Sequence, residues 1–217
     1  MALTARALSY AYHKGGALAV DDFSADFAQG KITAVMGPNG CGKTTLSKLL
    51  VGILKPLCGE VTLNGMALPG LTLAETGRRI GLVMQQPGRQ LFTTSVTEEI
   101  AFGLNCLALG QEETDGRVAK YLAYFGLQKY ADRFPFELSI GEQQRLVIAS
   151  VIAMQPAYLI LDEPTSALDR GRKDDLRTLL RSLSADEDVG VLLISHDERF
   201  VSCCADSVIA MEKGRIL

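Results

Sequence analysis

The stretch Gly37-Pro38-Asn39-Gly40-Cys41-Gly42-Lys43-Thr44-Thr45, directly after the apolar run Ile32-Thr33-Ala34-Val35-Met36, limits what this chain can fold into more than any other feature. A strand, a glycine-rich loop and a Lys-Thr pair opening a helix make a cradle for phosphate groups. Gly37 and Gly42 let the backbone turn so that successive amide N–H groups point at phosphate oxygens, which bulkier residues would keep away. Lys43 offers a mobile positive charge to the outer phosphates, and Thr44 offers a hydroxyl to Mg2+. The helix that follows turns the positive end of its dipole to the same place. Leu46, Leu49, Leu50, Ile53 and Leu54 recur at helical spacing, which predicts one buried stripe running until Pro56.

With 217 residues and 47% hydrophobic content, the chain suits one domain with an appended subdomain. A net charge of −3 leaves no basic footprint for nucleic acid. The 5 cysteines form neither a disulfide framework nor a metal-binding pair, which fits a reducing cytosol. Cys203 and Cys204 read as small buried apolar residues, and Cys41 sits in the phosphate loop. The longest charge-free stretch, Leu146 to Leu161, is shorter than the ~20 residues of a membrane-spanning helix and is interrupted by Gln155-Pro156. The N-terminus shows no signal-like apolar run. A membrane role is therefore expected to act through a partner.

Along the chain, strands alternate with helices. Leu8 to Tyr12, Phe23 to Phe27 and Val61 to Leu63 read as half-exposed strands of a small antiparallel layer. Ile80 to Met84, Tyr158 to Leu161 and Val191 to Ser195 suit buried parallel strands, with Ser207 to Met211 as an edge strand. Between about Gln86 and Met154 the pattern is helical. Ser95-Val96-Thr97-Glu98 predicts a capping box opening a helix through Leu107, and Val118, Tyr121, Leu122 and Phe125 form an apolar stripe. Helices inserted between sheet strands imply a helical subdomain budding from an α/β core.

Two further motifs carry chemistry. Tyr158-Leu159-Ile160-Leu161-Asp162-Glu163-Pro164 takes a buried strand to its C-terminal end, where open parallel sheets bind ligands, and places two carboxylates there. In phosphoryl transfer Asp162 suits Mg2+ held through water, and Glu163 suits orienting or deprotonating the attacking water. The plain alternative is a strand ending in solvated acids. Leu138-Ser139-Ile140-Gly141-Glu142-Gln143-Gln144-Arg145 is locally a capping box, with Leu146, Ala149 and Ile152 or Ala153 behind it. Its serine hydroxyl and glycine amide can hold an anion, although on local structure alone an ordinary helix start is the better explanation.

Together these residues resemble the nucleotide-binding subunit of ATP-binding cassette (ABC) transporters over essentially the whole chain. Gly37 to Thr45 is similar to the family's Walker A loop, Leu159 to Glu163 to its Walker B strand, and Leu138 to Glu142 to its signature sequence. Ser166 to Asp169 looks like the D-loop, His196 the switch histidine, and Gln85 the Q-loop glutamine. Tyr12 lies where the family places an aromatic ring against adenine.

The resemblance implies an α/β fold of the P-loop NTPase type, with a RecA-like parallel sheet core, a small antiparallel β layer and an inserted α-helical subdomain. It implies one ABC ATPase domain over residues 1–217, with the core at about 1–85 and 155–217 and the helical subdomain at about 86–154. ATP and Mg2+ are the implied cofactors. Pro38, Asn39, Gly40, Cys41 and Thr45 join Gly37, Gly42, Lys43, Thr44 and Asp162 around the nucleotide, with Ser139, Gly141 and Glu142 contributed from a second subunit. Thr44, Gln85 and Asp162 are the implied metal residues, and Glu163, His196 and Gln85 the catalytic ones.

Gly81 to Pro87, Gln90-Leu91-Phe92 and Val96 to Gly103 are similar to the ATPases of energy-coupling factor transporters, which import vitamins and transition-metal ions. The partners so implied are a second ABC ATPase subunit, identical or related, and an integral membrane transport protein, with no nucleic acid. The location is the cytoplasmic face of the membrane. Two alternatives stay open: a cassette that regulates a membrane protein without transport, and a soluble cassette acting on ribosomes or nucleic acid. The signature departs from the family pattern at Ile140, where glycine is usual, and at Glu142, where glutamine is usual. Glu caps as well as Gln does, so activity is expected to survive, with the extra charge slowing closure.

Overall fold

The computed structural model describes residues 2–166 and 168–217; Ala167, within the D-loop-like segment, lies outside them. The chain divides into two compact units, Met1–Leu82 with Ala157–Leu217, and Val83–Pro156.

The first unit opens with β1 (Ala2–Tyr10), β2 (Val20–Ala28), β3 (Ile32–Met36), α1 (Lys43–Leu50), β4 (Cys58–Leu63), β5 (Met66–Ala67) and α2 (Leu73–Gly77). β6 (Ile80–Val83) leads out of it. The second unit holds α3 (Val96–Asn105), α4 (Gln111–Tyr124) and α5 (Ile140–Ala153). The chain then returns through β7 (Tyr158–Asp162), α6 (Arg170–Asp186), β8 (Gly190–Ser195), α7 (Glu198–Cys204), β9 (Ser207–Glu212) and β10 (Arg215–Ile216).

Two sheets form, in the orders β2-β1-β4-β5 and β10-β9-β3-β8-β7-β6. The first is antiparallel. In the second, β3 pairs in parallel with β8 and β9, and β7 with β8. β7 and β8 are buried at every residue, which is why their sequences run apolar without alternation. β1 and β2 instead mix buried and exposed positions. β9 is not an edge strand as expected, because the short β10 pairs antiparallel outside it.

One core holds this unit together. Leu3, Leu8, Phe23 and Val61 of the antiparallel sheet cluster with Leu46, Leu49 and Leu50 of α1 and with Val35, Ile160 and Ile194 of the parallel sheet. Tyr158 ties the two sheets directly: its hydroxyl accepts from the Leu3 amide and donates to the Phe27 carbonyl, each at 3.0 Å. The predicted stripe of α1 stops short. The helix ends at Leu50, and Ile53 is exposed. Gly52 takes φ +74° and its amide turns back to Leu49 O, so a left-handed glycine ends the helix before Pro56 is reached.

In the second unit, α3 is capped by Ser95, whose Oγ accepts from the Glu98 amide at 3.2 Å. The reciprocal half of the predicted box is missing, because Glu98 turns its carboxylate to the amide and hydroxyl of Thr94. The helix also ends at Asn105 rather than Leu107. Val118, Tyr121, Leu122 and Phe125 are buried, as are Leu146, Ala149, Ile152 and Ala153 of α5.

Candidate functional site

The turn from β3 into α1 depends on two glycines for different reasons. Gly42 caps α1 at φ +107°, and a Cβ there would stand 2.0 Å from the Ala19 carbonyl oxygen. Gly37 needs no left-handed dihedral; it is required because a Cβ would stand 2.1 Å from Met211 O. Pro38, Asn39 and Gly40 lie exposed at the crest, while Cys41 is buried beneath them. Lys43, only 6% exposed, donates from Nζ to the carbonyls of Gly37 at 2.8 Å and Pro38 at 3.0 Å. The Lys43 ammonium therefore lies folded into the loop that would wrap a phosphate. Thr44 is exposed beside it, and the buried Thr45 pairs its hydroxyl with that of Tyr12 at 3.0 Å. Tyr12 lies beyond the end of β1, with its ring more than half exposed and edge-on to Tyr10.

The acids at the end of β7 face this loop. Asp162 and Glu163 are both buried, yet Asp162 Oδ1 and Glu163 Oε1 accept no hydrogen bond among the described residues. Burial pushes the Asp162 carboxyl above its ordinary range; a hydrogen bond from Thr44 opposes the rise and the neighbouring Glu163 charge adds to it. Glu163 takes φ +50°, a strained conformation for a residue with a side chain, and its amide bonds Ile194 O at 2.8 Å. Lys43 Nζ lies 3.8 Å from Glu163 Oε1, and His196 Nδ1 lies 2.8 Å from Glu163 Oε2. The Asp162 carboxylate, with one oxygen that accepts no hydrogen bond and a bond from the Thr44 hydroxyl, offers the hard oxygen donors that Mg2+ selects, so these two residues fit that ion.

Behind His196, Asp197 caps α7 by accepting from the Phe200 amide, and Lys173 of α6 reaches it at 2.6 Å. That hydrogen bond from Lys173 is the first cause holding the Asp197 carboxyl below its usual range. Neither Asp197 nor Lys173 was singled out from the sequence; an Asp opening a short helix is a capping signal that could have marked the first, whereas nothing local points to Lys173.

The remaining candidates belong to the other unit. Gln85 is exposed in the bend after β6. Ser139 caps α5 and Gly141 is buried in its first turn. Glu142 Oε2 accepts from the Ser139 amide at 2.9 Å and from the Ser139 hydroxyl at 2.7 Å. Its other oxygen accepts from the Tyr130 hydroxyl at 2.5 Å. These bonds, that from Tyr130 first, bring the Glu142 carboxyl down to about 2. Tyr130 was missed from the sequence, being separated from the signature by an irregular segment. Thus one unit gathers Tyr12, the phosphate loop, Asp162, Glu163 and His196, and the other gathers Ser139, Gly141 and Glu142.

Comparison with known proteins places the fold in a family. The family described as ABC transporter matches residues 20–166. The cobalt import ATP-binding protein CbiO of Rhodobacter capsulatus is 40% identical over 99% of this chain and 77% of its own length. The structure of cbiO1 from Clostridium perfringens, part of the ABC transporter complex cbiONQ, aligns with a TM-score of 0.92 and 32% identity, covering 99% of this chain and 86% of that one. A dimeric ATP-binding cassette in a post-hydrolysis state bound to ADP and Pi aligns with a TM-score of 0.87 and 25% identity, over 99% and 96% of the two chains. With the loop, the paired acids and these relatives in agreement, the chain belongs to the ATP-binding subunits of the ABC transporter family.

Proposed function

We propose that this chain is the ATP-hydrolysing subunit of a membrane importer of the energy-coupling factor type, serving a metal ion or a vitamin, and that it works as a single cassette domain. Relatives named for cobalt import and for energy-coupling factor transport support the transport class. The observation that carries the chemistry is the pair of buried carboxylate oxygens of Asp162 and Glu163 that accept no hydrogen bond among the described residues, the latter 3.8 Å from the Lys43 ammonium.

In this reading the ammonium of Lys43 exchanges the Gly37 and Pro38 carbonyls for the outer phosphates of ATP, and the amides from Asn39 to Thr45 wrap them. Tyr12 stacks on adenine. Thr44 and Asp162 would hold Mg2+, which supplies charge neutralisation on the phosphates. Glu163 orients a water and accepts its proton, while His196, bonded to Glu163, contacts the γ-phosphate. Ser139 and Gly141 of a second subunit close over the same phosphate, so hydrolysis removes the group that joins the two subunits. Gln85 relays the opening to the membrane partner.

A docking face for that partner is available within the helical unit. Phe92 and Phe102 meet edge to face at 4.7 Å, Phe134 and Phe136 lie 5.3 Å apart, and all four are at least 45% exposed. Exposed aromatic clusters of this kind mark contacts with apolar partner segments. No helix among the described residues is long and apolar enough to cross a membrane. Relatives that are ATP-binding subunits of membrane transporter complexes support a place at the cytoplasmic face, through the partner.

Glu163→Gln tests the reading. It should keep ATP affinity, lose phosphate release by about 100-fold or more, and accumulate a closed dimer on size-exclusion chromatography. Parent-level turnover in that variant would remove Glu163 from its role.

A further inference from the structure

We propose that Tyr130 is a positioning residue for the α5 signature turn: its hydroxyl holds the Glu142 carboxylate against Ser139, so that a γ-phosphate presented by a second copy meets donors rather than a loose negative charge. The inference rests on the reading above, in which Ser139 and Gly141 close over nucleotide bound to another subunit.

Glutamate at this position creates a specific difficulty. The start of α5 offers amide donors to an anion, but a carboxylate in its own first turn competes for those donors and repels a phosphate. Protonation offers no escape, because Glu142 stays ionised down to a pH of about 2. Its charge has to be held in place instead.

The three hydrogen bonds to Glu142 do this with one to spare. Oε2 takes the Ser139 amide and hydroxyl, and Oε1 takes the Tyr130 hydroxyl. When the Ser139 hydroxyl turns to a phosphate, the Ser139 amide and Tyr130 still pin one carboxylate oxygen each. Without Tyr130, a single amide would remain. Lys129 Nζ and the Arg133 guanidinium lie 4.7 and 5.5 Å from the centre of the Tyr130 ring, and the charge of Arg145 also favours the ionised Glu142 carboxylate. A glutamine would be neutral and would not need this support, so Tyr130 compensates for the departure from the family pattern at Glu142.

The test measures the ATP concentration for half-maximal dimer, by light scattering, in the Glu163→Gln background. Tyr130→Phe keeps the ring and should raise that concentration about tenfold at a temperature well below the melting point of the variant, beyond what its modest loss of stability explains. With Glu142→Gln also present, Tyr130→Phe should change it by no more than about twofold. An equal shift in both backgrounds, no shift, or a dimer defect that merely follows a lowered melting temperature would overturn the proposal. Ser139→Ala separates the two levels. If it leaves dimerisation untouched, or if the parent forms no ATP-driven dimer, the underlying reading fails and the proposal with it; if it weakens the dimer while Tyr130→Phe does not, only the proposal fails.

Discussion

Replacing Lys43 by Met should unbalance the buried carboxylates before any nucleotide arrives. Lys43 Nζ is 3.8 Å from Glu163 Oε1, and its charge also lowers the proton affinity of Asp162. At that separation the attraction is about 4 kcal/mol for an effective dielectric of ~20, part of which offsets desolvation. Leaving the carboxylate without its cation should therefore cost about 3 kcal/mol net. At ~2–4 °C per kcal/mol for a chain of this size, the melting temperature should fall by about 6–12 °C at pH 8.

The loss should also depend on pH, with a definite sign. Burial raises the Asp162 carboxyl in the folded protein above its unfolded value, so the folded state binds the extra proton. Stability therefore falls as pH rises from the ordinary ~3.9 through the raised folded value. Removing Lys43 raises that value further, so the gap between variant and parent should narrow as pH drops from 8 toward the raised folded value. Thermal melts across this range, with calorimetry of ATP binding, measure both effects. ATP affinity should drop by about 100-fold, since two charge-assisted phosphate contacts are lost. A melting gap that is constant with pH, together with unchanged ATP affinity, would refute the reasoning.

Two other substitutions probe the scaffold around the site. Gly42→Ala forces a side chain to φ +107° and 2.0 Å from Ala19 O; nucleotide binding by calorimetry should fall by about 100-fold, and parent-level binding would show that the turn can adapt. Tyr158→Phe removes the hydroxyl shared by Leu3 N and Phe27 O in the core; urea unfolding should report a loss of about 2–3 kcal/mol, and a loss under ~0.5 kcal/mol would mean that another group takes its place.

Much of the site was legible because its pieces are local. The β3–loop–α1 segment and the end of β7 are short continuous runs whose residue types meet the demands of strand, turn and helix start by themselves. Boundaries were read less well where a single residue overrules a periodic pattern. Gly52 ends α1 ahead of Ile53, and Glu98 abandons the α3 cap for Thr94, because each offers the backbone a competing hydrogen bond that hydrophobic spacing does not report. The reason for Gly37 was also misread, since the obstacle is the Met211 carbonyl, which approaches from far along the chain.

From the sequence alone came the α/β class, the phosphate loop, the paired acids and the capped signature helix, since each follows from spacing within a few residues. Only the tertiary structure decided which charges meet. Glu163 faces both Lys43 and His196, Lys173 reaches Asp197, and Tyr130 reaches Glu142 across an irregular segment. Such pairings depend on how packing brings separate segments together, and a one-dimensional pattern carries no record of distances that burial sets.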